Sequence, residues 1–417
     1  MSYDVWAALI VGPLLLLLSL PILARQAARE QDRLLFWLLV AALVLKLAGG
    51  LARHVAVFDI YDKADARAYH QVGLELANSF RSGDFSAIPR PLSDTNFVGF
   101  TTGVIYAIVG PSALSGFMVF SWLGFWGVYF IYRAFRLAVP EGRGRTYAGL
   151  LFFLPSILFW PSSIGKEALM MLGIGVAGFG AARILTGKMA RGLVSLGLGL
   201  WLTWLIRPHV AAFIGLALVA AYIIRRPGQH LGQLAPLAKL VALAGLVTVA
   251  VLLVRDVDRF LHQSRVETTQ GVEAITEQIT LRTQSGGSEF APHPIVTEPE
   301  QAPLAAFTVL FRPLVTEAHN IGALAASLET SFLLLLSLVR LPWLMSAVGS
   351  MRRQPYVMFA VAFVALSIAA LSIVANFGLL ARQRSVMIPL YLVLFAVPPR
   401  RQKERVAHPT RWEAVPA

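Results

Sequence analysis

The 417-residue chain is 57% hydrophobic and 14% charged, where a soluble domain would carry about a quarter charged residues. Its formal net charge of +13 comes without an aromatic-basic module, which sets nucleic-acid binding aside and assigns the basic residues to cytoplasmic loops under the positive-inside rule. The lack of cysteine excludes disulfides, thiolate nucleophiles and Cys-based metal sites.

Apolar runs long enough for a bilayer crossing recur along the whole chain, and the short alternating segments of a β-barrel do not. The expected fold is therefore all-α, a polytopic transmembrane bundle. The first run, Trp6 to Ala24, has neither a basic leader nor a small-residue cleavage pattern, so it reads as a retained helix. It ends at "RQAAREQDR", whose arginines place that end inside and the N-terminus outside. A second span, roughly Leu34 to Val57, leads to an outer acidic loop over 58–96. Next comes an apolar region, Phe97 to Tyr132, broken at Gly110-Pro111. The basic "YRAFRLAVPEGRGR" after it must lie inside, so the region makes an odd number of crossings, with a re-entrant or surface segment before Pro111.

Further spans fall at about 147–161, 168–185, 191–206, 210–224, 236–254, 322–341, 356–375 and 386–398. Lys188 and Arg191, Arg225 and Arg226, Arg352 and Arg353 mark their inner connections. About eleven spans, with the N-terminus outside and the C-terminus inside, satisfy every basic loop. An outer polar loop covers 255–303, and an outer amphipathic or re-entrant segment follows over 304–321. Residues 1–398 thus form one transmembrane domain, and 399–417 a basic cytoplasmic tail.

With the inner loops set aside, the conspicuous polar residues gather at outer helix ends. "DIYDKADARAYHQVG" supplies Asp62, Asp65, Tyr69 and His70 directly after the second span. On a helix, Asp65, Tyr69 and Gly73 share one face. An acid at the mouth of a bundle suits a general base for an acceptor hydroxyl, or an oxygen ligand for a divalent cation such as Mg or Mn; an acidic first turn favoured by the helix dipole explains it equally well. "FWPSSIGKEALMML" offers Lys166, for a phosphate or for Glu167. Its Ser-x-x-x-Lys spacing also fits a serine–lysine hydrolase, without a protease context around it. "LIRPHVAAF" brings Arg207 and His209, and "LFRPLVTEAHN" brings Arg312, Glu317 and His319. "NFGLLARQRSVMIP" sets Arg382 and Arg384 on the outer side, against the positive-inside trend, where a lipid phosphate is the natural ligand for guanidinium forks. Lys46, inside the second span, must face a cavity or a partner rather than lipid. The histidines are dispersed, and no metal site can be assigned.

A span followed outside by Asp-x-x-Asp-Ala-x-x-Tyr-His and then "LANSFRSGDF" resembles the first outer loop of GT-C glycosyltransferases. In this chain the acidic loop follows the second span, whereas in those enzymes it usually follows the first. The resemblance implies a polyprenyl-phosphate sugar donor, with Asp62 or Asp65 as catalytic base or metal ligand and Tyr69 and His70 nearby. The C-terminal motifs are similar to those of O-antigen-polymerase-like polysaccharide-assembly proteins, which implies that Arg312, Arg382 and Arg384 hold a lipid pyrophosphate.

The expected function is an integral membrane glycosyltransferase in cell-envelope glycan assembly. It would sit in the plasma membrane with its active site on the extracytoplasmic side, and pass a sugar from a lipid-linked donor to a glycan, lipid or protein acceptor. The alternatives are a polysaccharide polymerase or ligase using polyprenyl-pyrophosphate glycans, and a transporter of lipid-linked glycans.

Overall fold

The computed structural model describes residues 3–60, 64–225, 271–284 and 288–399. Among them every regular element is helical, and the sole β feature is an isolated bridge between Glu289 and Asn376. Among the described residues, six helices are long and apolar enough to cross a membrane, or seven if the bent C-terminal pair counts as one span. The expected span at 236–254, Asp62 and the basic tail beyond residue 399 lie outside the described residues.

Helices α1 (Tyr3–Arg29) and α2 (Arg33–Val55) form an antiparallel pair closed by a sharp turn. Asp32 caps α2 by accepting from the Leu35 N–H at 3.2 Å. A π-helical turn, Ala56–Ile60, ends this span. Its carbonyls would be orphaned at the helix end, but the Arg67 guanidinium donates to the oxygens of Val57 and Phe58. That pair of bonds fixes the start of α3 (Asp65–Arg81) against the end of α2. Helix α3 packs on α4 (Asp94–Val109), whose last carbonyls accept from Arg81. Gly110, at φ 98°, breaks the chain before α5 (Ala113–Ala138), so the broken apolar region resolves into one short helix and one span.

The expected span 147–161 is divided into α6 (Gly144–Phe153) and α7 (Pro155–Phe159). Pro155 has no N–H and clashes with a continuing helix, so the chain turns at Leu154. Pro161 likewise cannot donate to the Ile157 carbonyl, and Lys46 of α2 takes that carbonyl instead, at 2.5 Å. At the other end of α7, the Ser156 N–H donates to Glu329 at 2.6 Å. Lys46 and Glu329 are both buried, and each meets a backbone group that the helix break leaves without its usual partner.

Helix α8 (Lys166–Leu185) is the most enclosed of the candidate spans, and it runs between α5 and α9 (Met189–Ile206). Small residues permit that approach. A Cβ on Gly175 would strike the Gly127 carbonyl of α5, and one on Gly180 would strike the Leu196 backbone of α9. Helix α10 (Pro208–Ile224) follows. After it the structure describes α11 (Gly271–Thr283), α12 (Ala302–Phe311), α13 (Ile321–Val339), α14 (Leu341–Gly349) and α15 (Pro355–Leu371). At 17 residues each, α10 and α15 are short for a full crossing, and they pack on each other. The last expected span, 386–398, begins at a bend. Helix α16 (Phe377–Arg384) meets the helical segments α17 (Ile388–Tyr391) and α18 (Val393–Ala396) at a bend of 58°.

The glycine contacts give a paired test. Gly175→Ala meets backbone that cannot yield and should destabilise the protein by about 1–3 kcal/mol. Gly197→Ala in α9 meets nothing within 4 Å and should leave the melting temperature unchanged or slightly raised. Thermal unfolding of both variants in one detergent decides the matter, and equal melting temperatures would refute the α5–α8 contact.

Candidate functional site

The helix ends on one side of the bundle converge on a cavity of about 320 Å³. Its wall includes Arg53 from α2, Asp65 and Tyr69 from α3, Trp160 after α7, Glu167 from α8 and Arg382 from α16. Arg382 organises the charges. Its Nε donates to Glu167 Oε1 at 2.7 Å and its Nη1 to Asp65 Oδ2 at 3.0 Å. Arg207, between α9 and α10, approaches the same Glu167 oxygen at 3.6 Å.

The two carboxylates sit in different surroundings. Glu167 is buried, lies in the first turn of α8 where the helix dipole favours an anion, and is flanked by two guanidiniums. Asp65 opens α3 with its side chain 60% exposed, so it reaches Arg382 from the solvent side. Four residues on, Tyr69 is buried and lines the cavity. Burial, followed by the charge of Asp65, pushes the Tyr69 phenol up to about 12, so it stays a neutral donor at physiological pH. Arg53 lies over the rings of Phe159 and Trp160 at 4.9 and 5.0 Å, a cation–π arrangement that holds Trp160 at the cavity wall.

Other candidates lie outside this cavity. Lys166 pairs with Asp94 at 2.6 Å, which joins the starts of α8 and α4. His209 is exposed and contacts the Phe213 ring. Arg312 pairs with Glu317 and lies over the stacked rings of Phe290 and Phe377. Glu317 is also held by the Leu314 N–H; burial opposes its ionisation, but these partners keep its carboxyl below the usual range. His319 is exposed.

Arg384 departs from the expectation that both C-terminal arginines face an anionic ligand. It is buried, and its Nη1 donates to the carbonyls of Val309, Leu310 and Arg312. Those carbonyls end α12, so Arg384 acts as a C-terminal cap. Two residues apart on a helix, Arg382 and Arg384 point in different directions.

His70 is not among the residues lining the cavity; its Nδ1 lies 2.7 Å from the Tyr106 hydroxyl. The cavity adds Arg53 and Trp160 to the candidates, and Glu167, read from sequence as a partner for Lys166, meets Arg382 instead. Glu167 carried a usable signal, a carboxylate at the start of an apolar span with almost no loop before it. Trp160 carried none, because a tryptophan at a span end is an ordinary interfacial anchor. Among the described residues no group of three or more potential metal-ligating side chains converges. Asp65 and Glu167 share a guanidinium between them, a donor set that does not fit an oxygen-ligated divalent cation. No protein-family model, curated protein or solved structure matches this chain.

His70 yields a pH prediction. Burial holds its imidazole below the ordinary histidine value of 6.5, a shift that the charge of Asp4 opposes and that of His54 reinforces. The unfolded chain then takes up a proton near 6.5 that the folded protein refuses. The contribution to stability is full above 6.5, declines as pH falls, and levels off below the folded pKa. Melting temperatures between pH 8 and 5 should show a shallower acid loss in His70→Gln than in the parent protein. Parallel curves would remove His70 as the cause.

Proposed function

We propose that the protein is an integral membrane glycosyltransferase, which moves a sugar from a polyprenyl-phosphate donor to an acceptor hydroxyl on the extracytoplasmic face. The observation that carries this reading is the single cavity lined by an exposed carboxylate, Asp65, a fixed guanidinium, Arg382, and an aromatic face, Trp160. Its volume suits a monosaccharide and its phosphate. The paired carboxylates and arginine lie at the N-terminal end of α8, opposite the basic end at Arg183 and Lys188, in agreement with the positive-inside rule.

In the proposed step the acceptor oxygen attacks the anomeric carbon as its proton passes to Asp65. The anomeric C–O bond to phosphate breaks, and the phosphate leaves with the electron pair. Arg382 would meet that negative charge by exchanging its Asp65 contact for a phosphate oxygen, while Glu167, which Arg207 also approaches, holds it in place. Such an exchange frees Asp65 as the donor enters, so that donor binding activates the base. Trp160 would supply a stacking surface for the sugar ring. The block-transferring polymerase reading calls on Arg312, Arg382 and Arg384 together; Arg384 donates to backbone carbonyls and Arg312 pairs with Glu317, which favours the transferase reading.

The test is a transfer assay on the reconstituted protein with a polyprenyl-phosphate sugar. Asp65→Asn should lower kcat by about 10²–10⁴-fold with an unchanged melting temperature, whereas Arg382→Gln should also weaken donor binding. Full activity in Asp65→Asn would end the general-base assignment. Loss in Arg382→Gln alone would shift the reading towards a polymerase or ligase.

A further inference from the structure

A second cavity, of about 440 Å³, opens at the other end of the same helices. From Glu167 to Arg183, α8 advances about 24 Å at 1.5 Å per residue, so the two cavities lie near opposite membrane surfaces. Six cations line the second one, Arg29, Arg133, Arg136, Arg183, Lys188 and Arg191, against a single carboxylate, Glu30. That carboxylate is already engaged. It accepts from Arg136 at 2.8 Å, from the Tyr132 hydroxyl at 3.0 Å and from Gln26 at 2.6 Å.

The excess positive charge is therefore not neutralised within the cavity, and part of it is held in fixed positions. Arg183 donates to the Ser195 hydroxyl at 2.5 Å and lies over the Phe179 ring at 4.1 Å; Arg133 lies over the same ring at 4.8 Å. Arg29, Lys188 and Arg191 make no ion pair among the described residues. The positive-inside rule accounts for cations at this end of the helices. It does not account for their convergence on one concave site, where mutual repulsion costs stability unless an anion is present. Lys188 and Arg191 also flank the start of α9, whose dipole is unfavourable to cations and whose first turn carries no acid.

The surface next to the cavity is apolar. From Arg191, the exposed residues Val194, Leu198 and Trp201 continue at intervals of three, four and three along one stripe of α9. A headgroup phosphate among the cations would thus leave acyl chains against a face of matching character. We propose that this cavity binds the phosphate of an anionic membrane amphiphile, with its chains along α9. The site is separate from the Asp65 cavity and does not depend on the glycosyltransferase reading.

The test uses the full chain in nanodiscs of phosphatidylcholine, with and without phosphatidylglycerol, read by native mass spectrometry and thermal unfolding. The parent protein should retain phosphatidylglycerol and melt higher with it. The double variant Lys188→Gln/Arg191→Gln should lose retention by roughly tenfold and melt no lower than the parent in neutral discs, since it relieves the repulsion among the cations. The exposed pair Arg352→Gln/Arg353→Gln, away from the cavity, should retain the lipid as the parent does. Equal retention in all three proteins would overturn the proposal, as would equal loss in both double variants. Stabilisation by inorganic phosphate in neutral discs, matching that by the lipid, would overturn the amphiphile assignment in favour of a soluble phosphate.

Discussion

The Arg382 guanidinium holds two carboxylates that are distant in sequence, Asp65 on a surface helix and Glu167 at the start of a buried span. Each bond is charge-assisted, and Glu167 lies in surroundings where an unpaired charge would be costly. Removing the guanidinium would leave Glu167 with Arg207 alone at 3.6 Å, and Asp65 without its ion pair. Through this one side chain α3, α8 and α16 are tied together around the cavity.

The same constraint, that buried polar groups must find partners, accounts for the side chains that meet the breaks in the bundle. Prolines interrupt the chain at α7 and leave backbone groups without helical partners. Lys46 and Glu329 reach across from α2 and α13 to supply them. Arg384 does the same for three carbonyls at the end of α12. Charges that would be liabilities in lipid therefore act here as backbone caps. The breaks bring loops and short helices close to the cavity without exposing bare backbone to hydrocarbon.

Helix α8 links the two ends of the molecule. Its glycines let α5 and α9 approach closely on either side, which gives the bundle a tightly packed axis. At one end, Glu167 pins the arginines of the candidate site, and at the other, Arg183 lines the basic cavity. A tightly packed helix that contributes to both cavities fixes their separation.

The membrane character was legible in the sequence, because apolar length and low charge state it directly. Asp65, Tyr69 and Arg382 were also legible as candidates, since exposed-side charges between apolar runs have few structural reasons to exist. Individual crossings were less so. Hydropathy registers Leu151 and Ile157 as one continuous run, but Pro155 divides it, and the terminal run bends after Arg384. Arg382 and Arg384 looked equivalent because both are arginines at one span end. Only helical geometry separates them, turning one towards the cavity and the other towards the carbonyls of α12. Asp65 lies 317 residues from Arg382, and no local pattern encodes that meeting. The sequence by itself determined that the chain is an apolar helical protein with polar groups gathered at helix ends, because local composition controls both. The tertiary structure decided which of those groups meet, because the long-range packing of α3, α8 and α16 sets their distances.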